Sequence, residues 1–243
     1  MTHNNVVITM AGRSSRFRAA GYTIPKYEIV ARGRSMFSWA MQSLTNIITP
    51  DSHIILICLA ENHSADYVLS QCQTLGLGSV QILELDKVTD GQATTAYMSR
   101  DLWLPEAPLL IYNIDTYVNP RSMRANQIRP GSDGWIPCFR APGSQWSFVR
   151  LGDDEWATDV AEKQRISEHA SVGLYWFAGA GHFIEAYRDF IADPANQACG
   201  ERYVAPLYGN LIRNGCRISI SDIPIGDVTA LGTPEDLDKF INN

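Results

Sequence analysis

The chain has 243 residues, 45% of them hydrophobic, and a formal net charge of −6 at pH 7. That length can bury a sizeable core, and the acidic balance speaks against nucleic acid as the main partner, because phosphate backbones select basic faces. No apolar stretch approaches the roughly 20 residues that span a bilayer, and the leading residues MTHNN lack a basic segment followed by an apolar run, so no membrane partner and a cytoplasmic location are expected.

Along the first half, apolar runs of strand length alternate with helical periodicity. A strand is expected over residues 6–10 (Val6, Val7, Ile8, Met10), breaking into Ala11-Gly12 and a polar loop that carries Ser14, Ser15 and Arg16 and ends at Pro25-Lys26. A helix follows over 35–44, a strand over 54–59, and a helix where Ala65, Val68, Leu69, Cys72 and Leu75 recur. A strand over 80–85, a helix over 91–100 and a strand over 108–114 complete the series. Near-continuous apolar strands joined by helices imply a parallel sheet covered on both faces.

Past Asp115 the rhythm changes. Residues 135–139, 147–151, 157–162 and 172–177 are strand-like, with turn residues rather than helices between several of them. Helices return at 181–191 and 204–214, and 217–224 is a further strand. Thr233 is a good N-cap for a closing helix, with Pro234 at its first position and Asp236 completing a capping-box-like pair. The expected class is α/β, a three-layer α/β/α, Rossmann-like arrangement around a mixed, mostly parallel sheet. Cys58, Cys72, Cys138, Cys199 and Cys216 are scattered and read as buried free thiols in a reducing compartment.

Four constellations can carry chemistry. In the first loop, small residues let backbone N–H groups approach phosphate oxygens, and Arg16 and Lys26 neutralise them; the alternative is a surface loop with solvated charges. It is neither a P-loop, since GxxxxGK[ST] is absent, nor a dinucleotide fingerprint, since Gly12 lacks its two companion glycines. Asp115 lies just past a buried strand, where open parallel sheets place ligands, and suits Mg²⁺, which takes one or two carboxylates plus phosphate oxygens. Asp227, also after a strand, is a candidate second ligand. Gly91 at a helix start allows close approach of a base or ribose, and Gln92 can offer a donor and an acceptor to a base edge. Glu162-Lys163 reads either as a surface ion pair or as a hydroxyl acceptor beside a cation for a second phosphate.

No GxSxG, HExxH or Cys/His pairing occurs, and the five histidines show no ligand spacing. A phosphate monoester needs no activated side chain to act as a nucleophile, being largely dianionic at neutral pH with a second pKa of about 6. Positioning, cations and Mg²⁺ then suffice for its attack on an α-phosphate.

These residues resemble the sugar-phosphate pyrophosphorylases, nucleotidyltransferases of GT-A-like fold. Ala11-Gly12-Arg13-Ser14-Ser15-Arg16-Phe17 and Pro25-Lys26 match the signature A-G-x-G-[ST]-R-[FLM]…P-K, with Ser14 at the family's second glycine. Asp115, Glu162-Lys163, the 173–177 strand and Gly232-Thr233-Pro234-Glu235-Asp236-Leu237 match later motifs in order, and residues 201–208 resemble a compact subgroup from capsule and surface-polysaccharide clusters. The resemblance implies that Ala11, Gly12, Ser14, Ser15 and Arg16 hold a triphosphate and that Lys26 neutralises its α-phosphate. It further implies that Gly91 and Gln92 read the base, that Asp115 binds Mg²⁺, and that Glu162, Lys163, Gly173 and Glu201 hold the acceptor. Arg16, Lys26 and Asp115 would be catalytic. Residues to about 115 would then bind nucleotide and those from about 116 the acceptor, within one domain. The reaction implied moves NMP from an NTP, with CTP favoured, to a sugar phosphate or related acceptor. Trp146, Trp176 and the acids Glu162 and Glu201 suggest a hydroxylated or amine-bearing acceptor. Where sugar pyrophosphorylases often carry a second metal-binding Asp, the chain reads Thr229-Ala230-Leu231. A GT-A glycosyltransferase and a non-catalytic nucleotide-binding regulator are the competing readings, and homo-oligomerisation stays open.

Overall fold

A computed structural model describes residues 4–196 and 200–242. Its first half runs β1 (Asn5–Thr9), α1 (Ser15–Ala19), β2 (Val30–Ala31), β3 (Arg34–Ser35), α2 (Met36–Ser43), β4 (His53–Leu59), α3 (Ala65–Thr74), β5 (Val80–Leu85), α4 (Gln92–Met98), β6 (Leu109–Asn113) and β7 (Thr116–Val118). The second half runs β8 (Gly134–Arg140), β9 (Ser147–Leu151), β10 (Ala157–Glu162), β11 (His169–Ser171), β12 (Leu174–Phe177), α5 (Ala180–Ala192), α6 (Leu207–Arg213), β13 (Ile218–Ile223), β14 (Val228–Ala230) and α7 (Pro234–Asn242).

The central sheet has the order β10-β9-β11-β8-β12-β6-β1-β4-β5, with β13 also on β8. Strands β6, β1, β4 and β5 are parallel, as is the β13–β8 pair, and antiparallel pairs fill the other half. Both faces of β1 are apolar because both are covered. Val6 and Ile8 point toward Phe37 and Met41 of α2 and Val68 of α3. Val7 points the other way, into the core that holds Ala93 of α4, Phe183 of α5 and Leu211 of α6. The expected three layers are therefore present. A third cluster packs Leu237 and Phe240 of α7 against Phe17 and Met36.

One strand crosses between two sets of neighbours. Of the expected strand over 172–177 only 174–177 is strand, β12; Val172-Gly173 separates it from β11, a short strand not expected from the sequence. Both pair with β8, but on the other side β11 pairs with β9 whereas β12 pairs with β6. At the interruption Gly173 has φ +85°, and a Cβ there would lie 2.0 Å from Asn113 Nδ2. Glycine is thus required twice over, by backbone conformation and by space. The end of β6 and the start of β9 are left unpaired with each other, and the cleft lies there.

The loop over 12–24 contains the short helix α1, and the β2–β3 hairpin and the β7–β14 ladder were not legible as strands. Elements of two or three residues show no period. Helix α6 starts at Leu207, later than expected, behind Pro206 at its N-cap position. At α7 the amide of Asp236 donates to Thr233 Oγ1 (3.1 Å), while the Thr233 hydroxyl donates to the Asp236 carboxylate (2.8 Å). The expected box therefore closes through the hydroxyl rather than the N-cap amide. Cys58, Cys72 and Cys138 are buried, Cys216 is half-buried, and all four are free, while Cys199 lies outside the described residues. Among the described residues no helix is long and apolar enough to cross a membrane.

Candidate active site

A cleft of about 1050 Å³ opens where β1 and β6 end. Thr9 and Asn113 sit opposite each other in the β1–β6 register, so both strands deliver their following loops to one floor. From β1 come Ala11, Gly12, Arg16 and Lys26, and from β6 comes Asp115. A Cβ on Gly12 would meet nothing within 4 Å, so the glycine leaves open space. The decisive contact is Lys26 Nζ to Asp115 Oδ2, 2.6 Å. Burial alone would raise the Asp115 carboxyl, but the charge and hydrogen bond of Lys26, with Arg16 nearby, hold it below its ordinary value. Asp115 is pinned from the C-terminal side by Leu231, whose amide donates to its carbonyl (2.8 Å).

Ser14 and Ser15 do not line the cleft. Ser14 has φ +53°, a left-handed conformation that suits glycine. Its hydroxyl accepts from the backbone N–H of Lys26 (3.3 Å), fastening the two ends of the loop.

On the next wall Gln92 donates to Thr9 Oγ1 (3.0 Å). The room at Gly91, expected to admit a ligand, is taken by the chain itself. A Cβ there would stand 2.3 Å from the Arg202 carbonyl oxygen. Residues 200–203 form a strap across the start of α4. Arg202 N–H donates to the Asp90 carbonyl (2.7 Å), Ala93 N–H donates to the Arg202 carbonyl (2.9 Å), and the Arg202 guanidinium pairs with the Asp90 carboxylate (2.9 Å).

At the far end Glu162 and Lys163 diverge rather than pair. Glu162 accepts from the Ser147 hydroxyl, which also meets Tyr175 OH at 3.1 Å. Burial pushes the Glu162 carboxyl up, and Glu201 adds to the shift, against the opposing pull of Ser147 and Lys163. Lys163, at φ +53°, donates through its amide to the Trp146 carbonyl (2.9 Å) and through Nζ to Tyr203 OH, which in turn donates to Glu201.

The nucleoside-diphosphate-sugar pyrophosphorylase from Vibrio cholerae RC9 is 31% identical to this chain, with a TM-score of 0.89 over 98% of this chain and 100% of that one. The chain belongs to the sugar-phosphate nucleotidyltransferases. Two further structures share its fold at lower identity. One is the inositol-1-phosphate CTP transferase from T. maritima, 12% identical with a TM-score of 0.78 over 100% of this chain and 96% of that one. The other is described as a glucose-1-phosphate thymidylyltransferase from Bacillus anthracis, in complex with sucrose, 16% identical with a TM-score of 0.78 over 99% and 94%. No family model matches the sequence, and no curated protein does.

In this nucleotidyltransferase the cleft brings together Ala11, Gly12, Arg16, Lys26, Gly91, Gln92, Asp115, Glu162, Lys163, Gly173 and Glu201. It does not bring Asp227. That carboxylate accepts from Asn119 Nδ2 (3.0 Å) and Ser122 Oγ (2.5 Å) and ties β14 to the end of β7. Trp146 lines the cleft, whereas Trp176 packs against the core. Sequence reasoning missed Thr9, Asn113, Ser147, Tyr175, Tyr203 and Asp236, all of which line the cleft. Asn113 stands two residues before Asp115, and its buried Oδ1 has no hydrogen-bond partner.

Proposed function

We propose that the chain transfers a nucleotidyl group from a nucleoside triphosphate, CTP in our reading, to the phosphate of a sugar phosphate or related acceptor and releases pyrophosphate. The observation that carries this is the pairing of two cation sets in one cleft, Arg16 and Lys26 at one end and Lys163 at the other. An enzyme joining two phosphates must hold both against their mutual repulsion.

An oxygen of the acceptor phosphate attacks the α-phosphorus, the bond from that phosphorus to the bridging oxygen breaks, and pyrophosphate leaves with the electron pair. The attacking phosphate is largely dianionic, so no side chain takes a proton. Arg16 holds the β- and γ-phosphates. Lys26 turns from Asp115 to the α-phosphate and neutralises the charge that builds there. Glu162 accepts from an acceptor hydroxyl and Lys163 binds the acceptor phosphate. Asp115 fits Mg²⁺, since its carboxylate already holds a cation, the Lys26 ammonium. Among the described residues no group of three or more His, Cys, Asp and Glu assembles, so the ion would share its shell with the triphosphate, as Mg²⁺ favours. When bound, it supplies charge neutralisation at the α-phosphate.

We read the chain as one domain, because a single sheet runs through both halves. Nucleotide is bound mainly by residues to about 115, and the acceptor mainly by those beyond. The strap and α7 return to the nucleotide side. The product we assign to capsule or surface-polysaccharide precursor synthesis in the cytoplasm, on the strength of residues 201–208. The test is pyrophosphate release with each of the four NTPs, Mg²⁺ and a panel of phosphorylated sugars, polyols and amines. Release should require all three components and be greatest with CTP. No release across the panel sinks the proposal, and hydrolysis of a UDP-sugar without NTP would favour a glycosyltransferase.

A further inference from the structure

We propose that Tyr203 is a positioning residue that holds the Lys163 ammonium over the acceptor end of the cleft. The inference rests on the reading of Lys163 as the acceptor-phosphate cation. A lysine side chain has four rotatable bonds, and an exposed one samples many rotamers. Lys163 is exposed, yet its ammonium rests against a single side chain, Tyr203. Its Nζ donates to Tyr203 OH and lies 4.3 Å from the centre of the Tyr203 ring. The hydroxyl passes the interaction on to Glu201. A phenol can act in this way because it offers an oxygen acceptor, a donor and a negative ring face at once.

The phenol is itself fixed. Tyr203 follows Arg202, whose backbone is bonded on both sides to the start of α4 and whose guanidinium pairs with Asp90. The Lys163 backbone is equally constrained, by its left-handed φ and by its bond to the Trp146 carbonyl. Two anchored backbones thus converge on one ammonium. The strap pairs with the nucleotide side of the cleft while presenting Tyr203 to the acceptor side. An acceptor phosphate then meets a cation already restricted to its neighbourhood and has less side-chain freedom to quench.

The chain contains four lysines, Lys26, Lys87, Lys163 and Lys239, so selective ¹³Cε-lysine labelling gives a spectrum that Lys163→Met assigns. In the wild-type protein the Lys163 ε-methylene should carry a ring-current shift that Tyr203→Leu removes and Tyr203→Phe largely keeps. Titration with inorganic phosphate should move the Lys163 signal, with affinity reduced roughly three- to tenfold in Tyr203→Leu, the worth of one lost hydrogen bond or cation–π contact. Unchanged melting temperatures in both variants would show that the fold is intact. A Lys163 signal identical in wild type and Tyr203→Leu overturns the proposal, as does unchanged phosphate affinity. If phosphate fails to move Lys163 even in the wild type, the reading of Lys163 as the acceptor cation fails instead.

Discussion

The two ends of the cleft hold their cations by different means. Lys26 is gripped by a carboxylate at the end of a buried parallel strand, at 2.6 Å and largely out of solvent. Lys163 stands on an exposed turn, steadied by a phenol on a strap that reaches it from 40 residues away in sequence. The sheet itself sets the first geometry, and a loop laid over the sheet sets the second. Under the proposed function, damage at the Lys26 end should therefore appear in the chemical step, and damage at the Lys163 end in substrate affinity.

The sharpest way to break this contrast is Lys26→Ala. Removing a cation aimed at charge that develops in the transition state should lower kcat by about 10²–10³-fold, measured as pyrophosphate release at saturating NTP and acceptor. A fall confined to KM would erase the distinction between the two ends. The next largest effect is expected at Gly91→Ala. A Cβ 2.3 Å from the Arg202 carbonyl oxygen, at φ +151°, must displace either the strap or α4. A destabilisation of about 2 kcal/mol or more would lower the melting temperature by roughly 4–8 °C for a chain of this size, with acceptor KM rising alongside. A melting temperature within a degree of wild type would show that the strap is not seated as described. The smallest effect belongs to Ser14→Gly. Glycine relieves a left-handed backbone worth roughly 1–2 kcal/mol and gives up a hydrogen bond to Lys26 worth about 1 kcal/mol. Stability and NTP KM should stay close to wild type, and a several-fold rise in NTP KM would give the Ser14 hydroxyl a role beyond fastening the loop.

What the sequence disclosed cuts across that division. The parallel half was legible because β1, β4 and β6 are near-continuous apolar runs, buried along almost their whole length, with helical periodicity between the strands. The expected span over 80–85 and those over 147–151 and 157–162 coincide with β5, β9 and β10. The interruption at Val172-Gly173 was hidden, since a continuous β-prone run does not say which neighbour each residue will choose. Gly173 was the clue, as a glycine inside a strand pattern marks a bulge or a close backbone approach. Gly91 carried the same ambiguity. The lack of a side chain announced that something comes near, and the visitor proved to be Arg202 rather than a ligand. Tyr203 stood beside Glu201 in a segment already singled out, yet its partner Lys163 is far off in the chain, and no spacing rule joins them. For Asp227 the sequence left the surroundings open, because a carboxylate after a strand looks alike whether it faces a cleft or, as here, Asn119 and Ser122.

The change of partners along β11 and β12 has an architectural consequence. One stretch of chain serves as a fork, with β12 on β6 and β11 on the β9–β10 hairpin, so the cleft gains a second wall within the same sheet. Within the sheet the hairpin pairs with β11 through β9, while β12 continues the same stretch of chain onto β6. Residues 141–167 could be exchanged for another hairpin of similar length, changing the wall that carries Ser147, Glu162 and Lys163 while the pairings of β1, β4 and β6 stay as they are.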